Sequence, residues 1–448
     1  MPTLMLDAAG VPKAPNPRLP TVACFAALAF AASTAFAGGP TTATSTSADI
    51  PAATSATAAA GPASGQALVL GSVLDFTGAL AEHGPDARRG AEMAVLHINR
   101  AGGVLGAPVE IHFEDGGTDA DVTIDAARRL LDERGIHALV GPMGSESTLR
   151  VAAAISAPRG LPTVSPSATA PELTHIEDDG FVFRATASDA AQGPVLARLA
   201  AEEGYRRIAV AYRDDAYGRG LYRSFVEHFD GDAKGAAIDP ECSTYKAELR
   251  QLAADRAQAL VVLSFPLEAS VLVGEAIELD LFDKFLFADG VRSLDLLQEV
   301  GAEALEGMKG TSPALRGNAD VESRKAFLQG FQEVFGRLPR TGPAPGTYDA
   351  VICLGLAAEA AGSVDGAAIR DALPRVCGGD GAQFTAGSDQ VRDAFAALRD
   401  GSSINYDGAG STVDWNAAGD VMRGLIDVWQ YRGGAIASLE QIPFKLGG

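Results

Sequence analysis

Metal and nucleophile chemistry have little to work with in this chain. Its six histidines, His83, His97, His112, His137, His175 and His228, stand at no metal-ligand spacing, and its four cysteines include no Cys-x-x-Cys. There is no Walker A sequence and no Gly-x-Ser-x-Gly elbow. The stretch GRGLYR at 218–223 opens like a dinucleotide fingerprint but lacks its third glycine. Asp214 and Asp215 read as a solvated carboxylate run, not an acid/base pair. No catalytic set, metal site or cofactor is therefore expected. Positive charge is scarce too: 36 Lys and Arg oppose 57 Asp and Glu, for a net charge of −21. That balance argues against nucleic acid or an anionic membrane as partner, while leaving room for a local site that takes a small anion. No apolar run long enough to cross a bilayer follows the first 37 residues, which argues against a single-chain membrane receptor.

What is present is enough apolar residue for two cores, 47% of 448 residues. Lys13 and Arg18 precede an apolar run at 22–32, and Ala35-Phe36-Ala37 fits a small-x-small cleavage site. We read residues 1–37 as a signal peptide cleaved near Ala37, which places the protein in the periplasm. Anchoring as a lipoprotein through Cys24 is not expected, because the apolar region follows that cysteine instead of preceding it. Residues 38–66 are Ala, Thr, Ser, Gly and Pro with little else, a flexible linker. Of the three later cysteines, Cys353 and Cys377 would staple a helix to its return and leave Cys242 over, with other pairings open.

Beyond the linker, strands and helices alternate. Strand-like runs at 68–74, 109–113, 138–140, 162–164 and 181–184 are separated by segments with apolar residues at helical spacing. A second series runs through 208–212, 260–263 and 285–288. This alternation implies parallel sheets with right-handed crossovers. Candidate crossings between two lobes lie at 186–189, 307–313 and 412–431. The fold class is α/β: two Rossmann-like lobes, each a parallel-rich sheet flanked by helices, joined by a three-crossing hinge. The expected lobes are residues 67–187 with 312–413, and 188–311 with 414–448.

The stretch 137–173 organises the first lobe. Ala138-Leu139-Val140 is a buried strand stopped by Gly141-Pro142, and Ser145 then stands as N-cap of a helix with Glu146 in its first turn. Pro162-Thr163-Val164 repeats the pattern, followed by Ser165-Pro166-Ser167-Ala168-Thr169. Hydroxyls and free backbone N–H groups at two neighbouring helix starts outline an anion site.

With these units in order, the chain resembles the type I periplasmic binding proteins of the leucine/isoleucine/valine-binding family, the substrate-binding components of branched-chain-type amino-acid ABC transporters. The resemblance covers most of 67–432. It is carried by the stretch at 76–111, VGPMGSEST (140–148), PTVSPSATAPELT (162–174), FRATASDAAQGP (183–194), AVAYRDDAYGRGL (209–221), FADGV (287–291), TYDAV (347–351) and VDWNAAGDV (413–421). It implies that Ser145 and Thr169, with Ser167 and Ala168 offering main-chain atoms, hold a ligand α-carboxylate. Asp289 is implied to hold the α-ammonium, where many members carry Glu. Tyr217 and Phe265 match aromatics that close over the ligand, and Met143 and His83 match side-chain-pocket positions. His83 stands where Tyr is frequent, and an imidazole donates to a polar or acidic ligand side chain. The implied partners are an amino-acid-like small molecule and ABC permease subunits, with the protein itself a monomer. A sensory module on the same fold is the alternative.

Overall fold

The computed structural model describes residues 66–314, 322–340 and 342–446. The expected signal segment and all but the last residue of the linker lie outside the described residues.

Five strands make the first sheet: β1 (Val69–Leu74), β2 (Glu110–Asp115), β3 (Ala138–Val140), β4 (Thr163–Ser165) and β5 (Val182–Arg184), all parallel, in the order β2-β1-β3-β4-β5. β3 and β4 have only three residues each, every one buried, which is why they read as short apolar runs without alternation. The second sheet takes in β6 (Arg207–Arg213), β7 (Asp232–Ile238), β8 (Ala259–Leu263), β9 (Phe285–Phe287) and β10 (Lys309–Pro313). Those strands stand in the order β7-β6-β8-β9-β10, the same winding as the first sheet. A parallel pair, β11 (Ala382–Thr385) and β12 (Ile404–Asp407), precedes a hairpin of β13 (Arg423–Arg432) and β14 (Ala435–Lys445). The hairpin adds to β10 antiparallel. The second sheet is thus parallel in its body and antiparallel at one edge, because β13 enters it from the far side of the hinge and needs no helical crossover to return.

In each sheet the strand order reverses direction once, between β1 and β3 and between β6 and β8. Crevices at such switch points, beyond the carboxyl ends of the strands, are where open α/β sheets bind ligands. The loops after β1 and β3 therefore face the loops after β6 and β8. The chain passes between the sheets three times: between β5 and β6, after β10, and before β13.

The core of the first sheet's outer layer is the helix Pro343–Ala361, buried along most of its length, against the helix Gly84–Arg100. Gly90 faces the Ala344 carbonyl so closely that a Cβ would collide with it, and a Cβ on Gly346 would lie 2.6 Å from the Pro166 carbonyl. On the same helix the buried Asp349 carboxylate accepts from the Tyr406 hydroxyl (2.9 Å) and from the amides of Ala409 (2.8 Å) and Gly410 (2.7 Å). Burial pushes this acid up to about 6, against those three donors. The bonds fix the 409–411 turn at the edge of the cleft. The expected staple between Cys353, on this helix, and Cys377, on its return, is not formed: both are fully buried free thiols, Cys377 donating to Cys353 across 2.9 Å, and Cys242, expected to be left over, is disulfide-bonded.

The expected helix cap is corrected as well. Ser145 is not an N-cap: Gly144 holds that position without a side-chain bond, and Ser145 is the first helical residue of Ser145–Val151. The helix then widens into a π turn at Ala152–Ser156 before ending at Gly160. Its hydroxyl is consequently free to reach the neighbouring loop.

Gly90→Ala is expected to destabilise the protein by about 1–3 kcal/mol, the scale of overpacking a filled contact. Urea unfolding of the variant checks this.

Candidate functional site

The first-lobe wall is built from two turns that bond to each other. The Ser145 hydroxyl accepts from the Thr169 amide (3.2 Å) and the Ala170 amide (3.1 Å). With both acceptor positions used, its own O–H is left to donate into the cleft. Ser165 accepts from the Ala168 amide (3.0 Å) and donates to the Pro142 carbonyl (2.6 Å), and Ser167 donates to the Met143 carbonyl (3.1 Å). Behind them Arg184, 2% exposed, donates to the carbonyls of Thr169 (3.1 Å) and Ala170 (2.9 Å), the Thr174 hydroxyl (3.0 Å) and Asp420 (2.7 Å). The 169–170 carbonyls are pulled back toward Arg184, while the amides of the same two residues are spent on the Ser145 hydroxyl.

The second-lobe wall rises from the ends of β6, β8 and β9. Asp215 caps the helix Ala216–His228, accepting from the Gly218 amide (3.0 Å), which gives this acid a structural role in place of a catalytic one. Tyr217, in the first turn, donates to Asp289 (2.9 Å), accepts from the Gly290 amide (3.2 Å), and stacks on Phe265 with ring centroids 5.2 Å apart. The Arg213 guanidinium lies 4.7 Å from the centre of the Phe265 ring. Gln192 donates its amide to the same Asp289 oxygen (3.0 Å).

The lobes touch across the gap. Ser293 donates to Glu82, the Ala216 amide donates to Glu146 (3.2 Å), and Arg223 pairs with Glu172. Leu80 and Met143 of the first lobe share an apolar cluster with Tyr217 and Phe265 of the second. Between them remains a cavity of about 130 Å³. Ser145, Ser167, Thr169, Met143, His83, Tyr217, Phe265 and Asp289 all line it. Ala168 does not reach it; its amide is spent on Ser165 behind the wall. Burial holds His83 neutral, down to about 4.

A family model described as periplasmic binding protein matches residues 67–415. The chain belongs to the type I periplasmic binding proteins. It is 29% identical, over 66% of its length and 79% of the relative's, to a leucine-, isoleucine-, valine-, threonine- and alanine-binding protein of Pseudomonas aeruginosa. A Leu/Ile/Val-binding protein of Citrobacter freundii is 28% identical over 53% of this chain and 65% of that protein, so the alignable part spans just under two thirds of that relative. Among solved structures, a leucine-binding protein of Thermotoga maritima superposes with a TM-score of 0.71 at 22% identity, over 84% of this chain and 98% of that one. That likeness establishes the shared fold.

Within this binding protein, sequence reasoning missed a second acid. Asp189, the first residue of the helix Asp189–Glu202, is wholly buried, and neither carboxylate oxygen has a well-formed hydrogen bond. Burial and then the neighbouring Asp289 charge push it well above the usual carboxylate range, with Thr169 and Arg184 pulling weakly the other way. Burial raises Asp289 as well, against its bonds from Tyr217 and Gln192. Burial and these two acids together hold the Tyr217 hydroxyl protonated. The Gln192 carbonyl oxygen, one turn along from Asp189, is also buried without a partner. A readable signal existed: Asp189 and Gln192 sit three apart at a helix start, hence on one face, inside a stretch already singled out. The site therefore offers donors on one wall and crowded acceptors on the other.

Arg184→Met is expected to cost about 3–5 kcal/mol, because it strands Asp420 as a buried unpaired charge. It also frees the 169–170 carbonyls, so surviving folded protein should bind ligand more weakly. Urea denaturation and calorimetric titration of the same preparation read the two effects separately.

Proposed function

We propose that this protein is an exported solute-binding protein. It captures an amino acid or related small zwitterion between its lobes and delivers it to an ABC transporter permease. The observation that carries the reading is the placement of the Ser145 hydroxyl and the 167–169 turn on one side of a single cavity and Asp289, backed by Asp189, on the other. Donors suit a carboxylate and acids suit an ammonium; a ligand bearing only a carboxylate would leave the two acids unanswered. The family match and the amino-acid-binding relatives support the same reading. They also support a periplasmic location and a binding role without turnover.

In this mechanism the ligand first meets the exposed hydroxyls and amides of the first lobe. Closure then brings Tyr217, Phe265 and Asp289 over it and seals the rim through Glu82, Glu146 and Glu172. Drying the ion pairs strengthens them, since the same charges interact more strongly at lower dielectric. The ligand favours the closed form because only that form offers both walls, and a permease can read that difference.

Asp289→Ala is expected to weaken amino-acid binding by roughly tenfold or more, the scale of a lost charged hydrogen bond. Calorimetric titration with a panel of amino acids, with assay of the recovered ligand for chemical change, tests this. Unaltered affinity in the variant sinks the ammonium assignment, and turnover sinks the binding reading.

Affinity is also expected to fall as the solution is made more acidic. Asp189 and Asp289 hold protons at higher pH than ordinary carboxyls, so acidification removes the negative charge that an ammonium needs before it affects the ammonium itself. Titrations between pH 8 and pH 5 should show progressively weaker binding, and a flat or inverted profile excludes this arrangement.

A further inference from the structure

Arg292 has no part in the zwitterion site described above, yet it lines the same cavity. It follows Asp289 by three residues, just past the short turn Asp289–Val291, and its backbone amide donates to the Asp289 carbonyl. Its position is poorly satisfied. The Nε–H is buried without a partner, and the acid paired with it, Asp427, stands 3.7 Å from Nη2 while also accepting from Ser438. The hydroxyl of Ser312, also on the cavity wall, is buried without a partner.

A second guanidinium stands near Arg292. Arg324, from the helix Glu322–Phe335 of the other lobe, has a buried, unpartnered Nη1. Burial and then the Arg292 charge bring it down to about 10, with Asp349 the acid that opposes them. Asp349 itself is already committed to three donors. Among the described residues, Asp427 is the acid the structure pairs with Arg292, and the pairing is long. His83, neutral on the same cavity, adds no positive charge of its own.

We propose that the cleft selects an amino acid whose side chain ends in a carboxylate, and that Arg292 receives that group. The proposal rests on the amino-acid reading above and narrows it. The zwitterion's own charges are met by the Ser145 and Asp289 walls, so a leucine-like side chain would leave the guanidinium as it stands, partly buried and under-paired. A carboxylate supplies two acceptor oxygens to the Nε–H and Nη–H edge, the paired geometry that guanidinium favours. The side-chain methylenes lie against Leu80, Met143 and Phe265, which accept an aliphatic stem of either kind. Arg292 is thus assigned as the residue that sets specificity.

The test is calorimetric titration of the full mature chain with L-glutamate, L-aspartate, L-glutamine and L-leucine. Glutamate or aspartate is expected to bind at least about tenfold tighter than glutamine and leucine, the worth of a charged over a neutral hydrogen bond. Arg292→Met should erase that preference, and Arg292→Lys should restore part of it by returning the charge without the fork. Leucine or glutamine binding as tightly as glutamate to the unaltered protein overturns this proposal and leaves the amino-acid reading intact. Binding of none of the four overturns this proposal, and binding of no amino acid in the wider panel overturns both. If the Met variant fails to fold in a melting experiment, the discrimination shown by the unaltered protein decides.

Discussion

The interaction on which most of the ligand cleft depends is a buried one that never touches the cavity. Arg184, at the end of β5, ties the 169–170 turn to Asp420 in the returning segment, while its backbone amide bonds the Gly419 carbonyl and its carbonyl accepts from the Trp415 indole (2.8 Å). One side chain thereby joins the 169–170 turn to a stretch that arrives more than two hundred residues later. A pair this dry is not a large net source of stability, since desolvation offsets much of its attraction. Its value lies in register: the guanidinium has a fixed number of donors at fixed angles, and each is matched.

The electrostatic plan of the cleft follows from burial more than from composition. The chain carries a net charge of −21, yet the cavity separates its charges by wall. Hydroxyl and amide donors lie on the first lobe, and two crowded carboxyls and an under-paired guanidinium come from residues before β6 and after β9. Asp75, at the end of β1, shows the same influence of burial, pushed up to about 6 against the Thr118 amide and the Arg213 charge from the opposite lobe. Acids placed at strand ends that converge on a closed gap cannot keep ordinary titration behaviour.

Much of this was legible in the sequence. Alternating strands and helices gave the two lobes, since a buried parallel strand and an amphipathic helix have distinct periods. The hydroxyl-rich turns after β3 and β4 and the acid after β9 were readable because turn chemistry is local. The rest was not. Strands β7 and β14 were missed because Asp232 and Lys234 in one, and Glu440, Gln441 and Lys445 in the other, break up the apolar run that marks a strand. The N-cap was placed one residue late because Gly144 and Ser145 are both good caps, and only the neighbouring turn decides which hydroxyl is wanted elsewhere. Asp189 read as an ordinary first-turn acid, favourable to its own helix dipole. That it lies beside Asp289, a hundred residues on, is a property of the winding and not of either segment.

The hairpin that finishes the second sheet has a consequence of its own. An eleven-residue strand at the rim of a sheet is a template on which another chain can lengthen it. β14 carries Pro443, which has no amide hydrogen to offer, and the charges of Glu440 and Lys445, while an irregularity at Val428/Trp429 twists the ribbon away from flatness. The opposite rim, β7, bears Asp232 and Lys234. Both borders are thus poor templates for cross-β growth, a safeguard suited to a molecule rich in apolar strand.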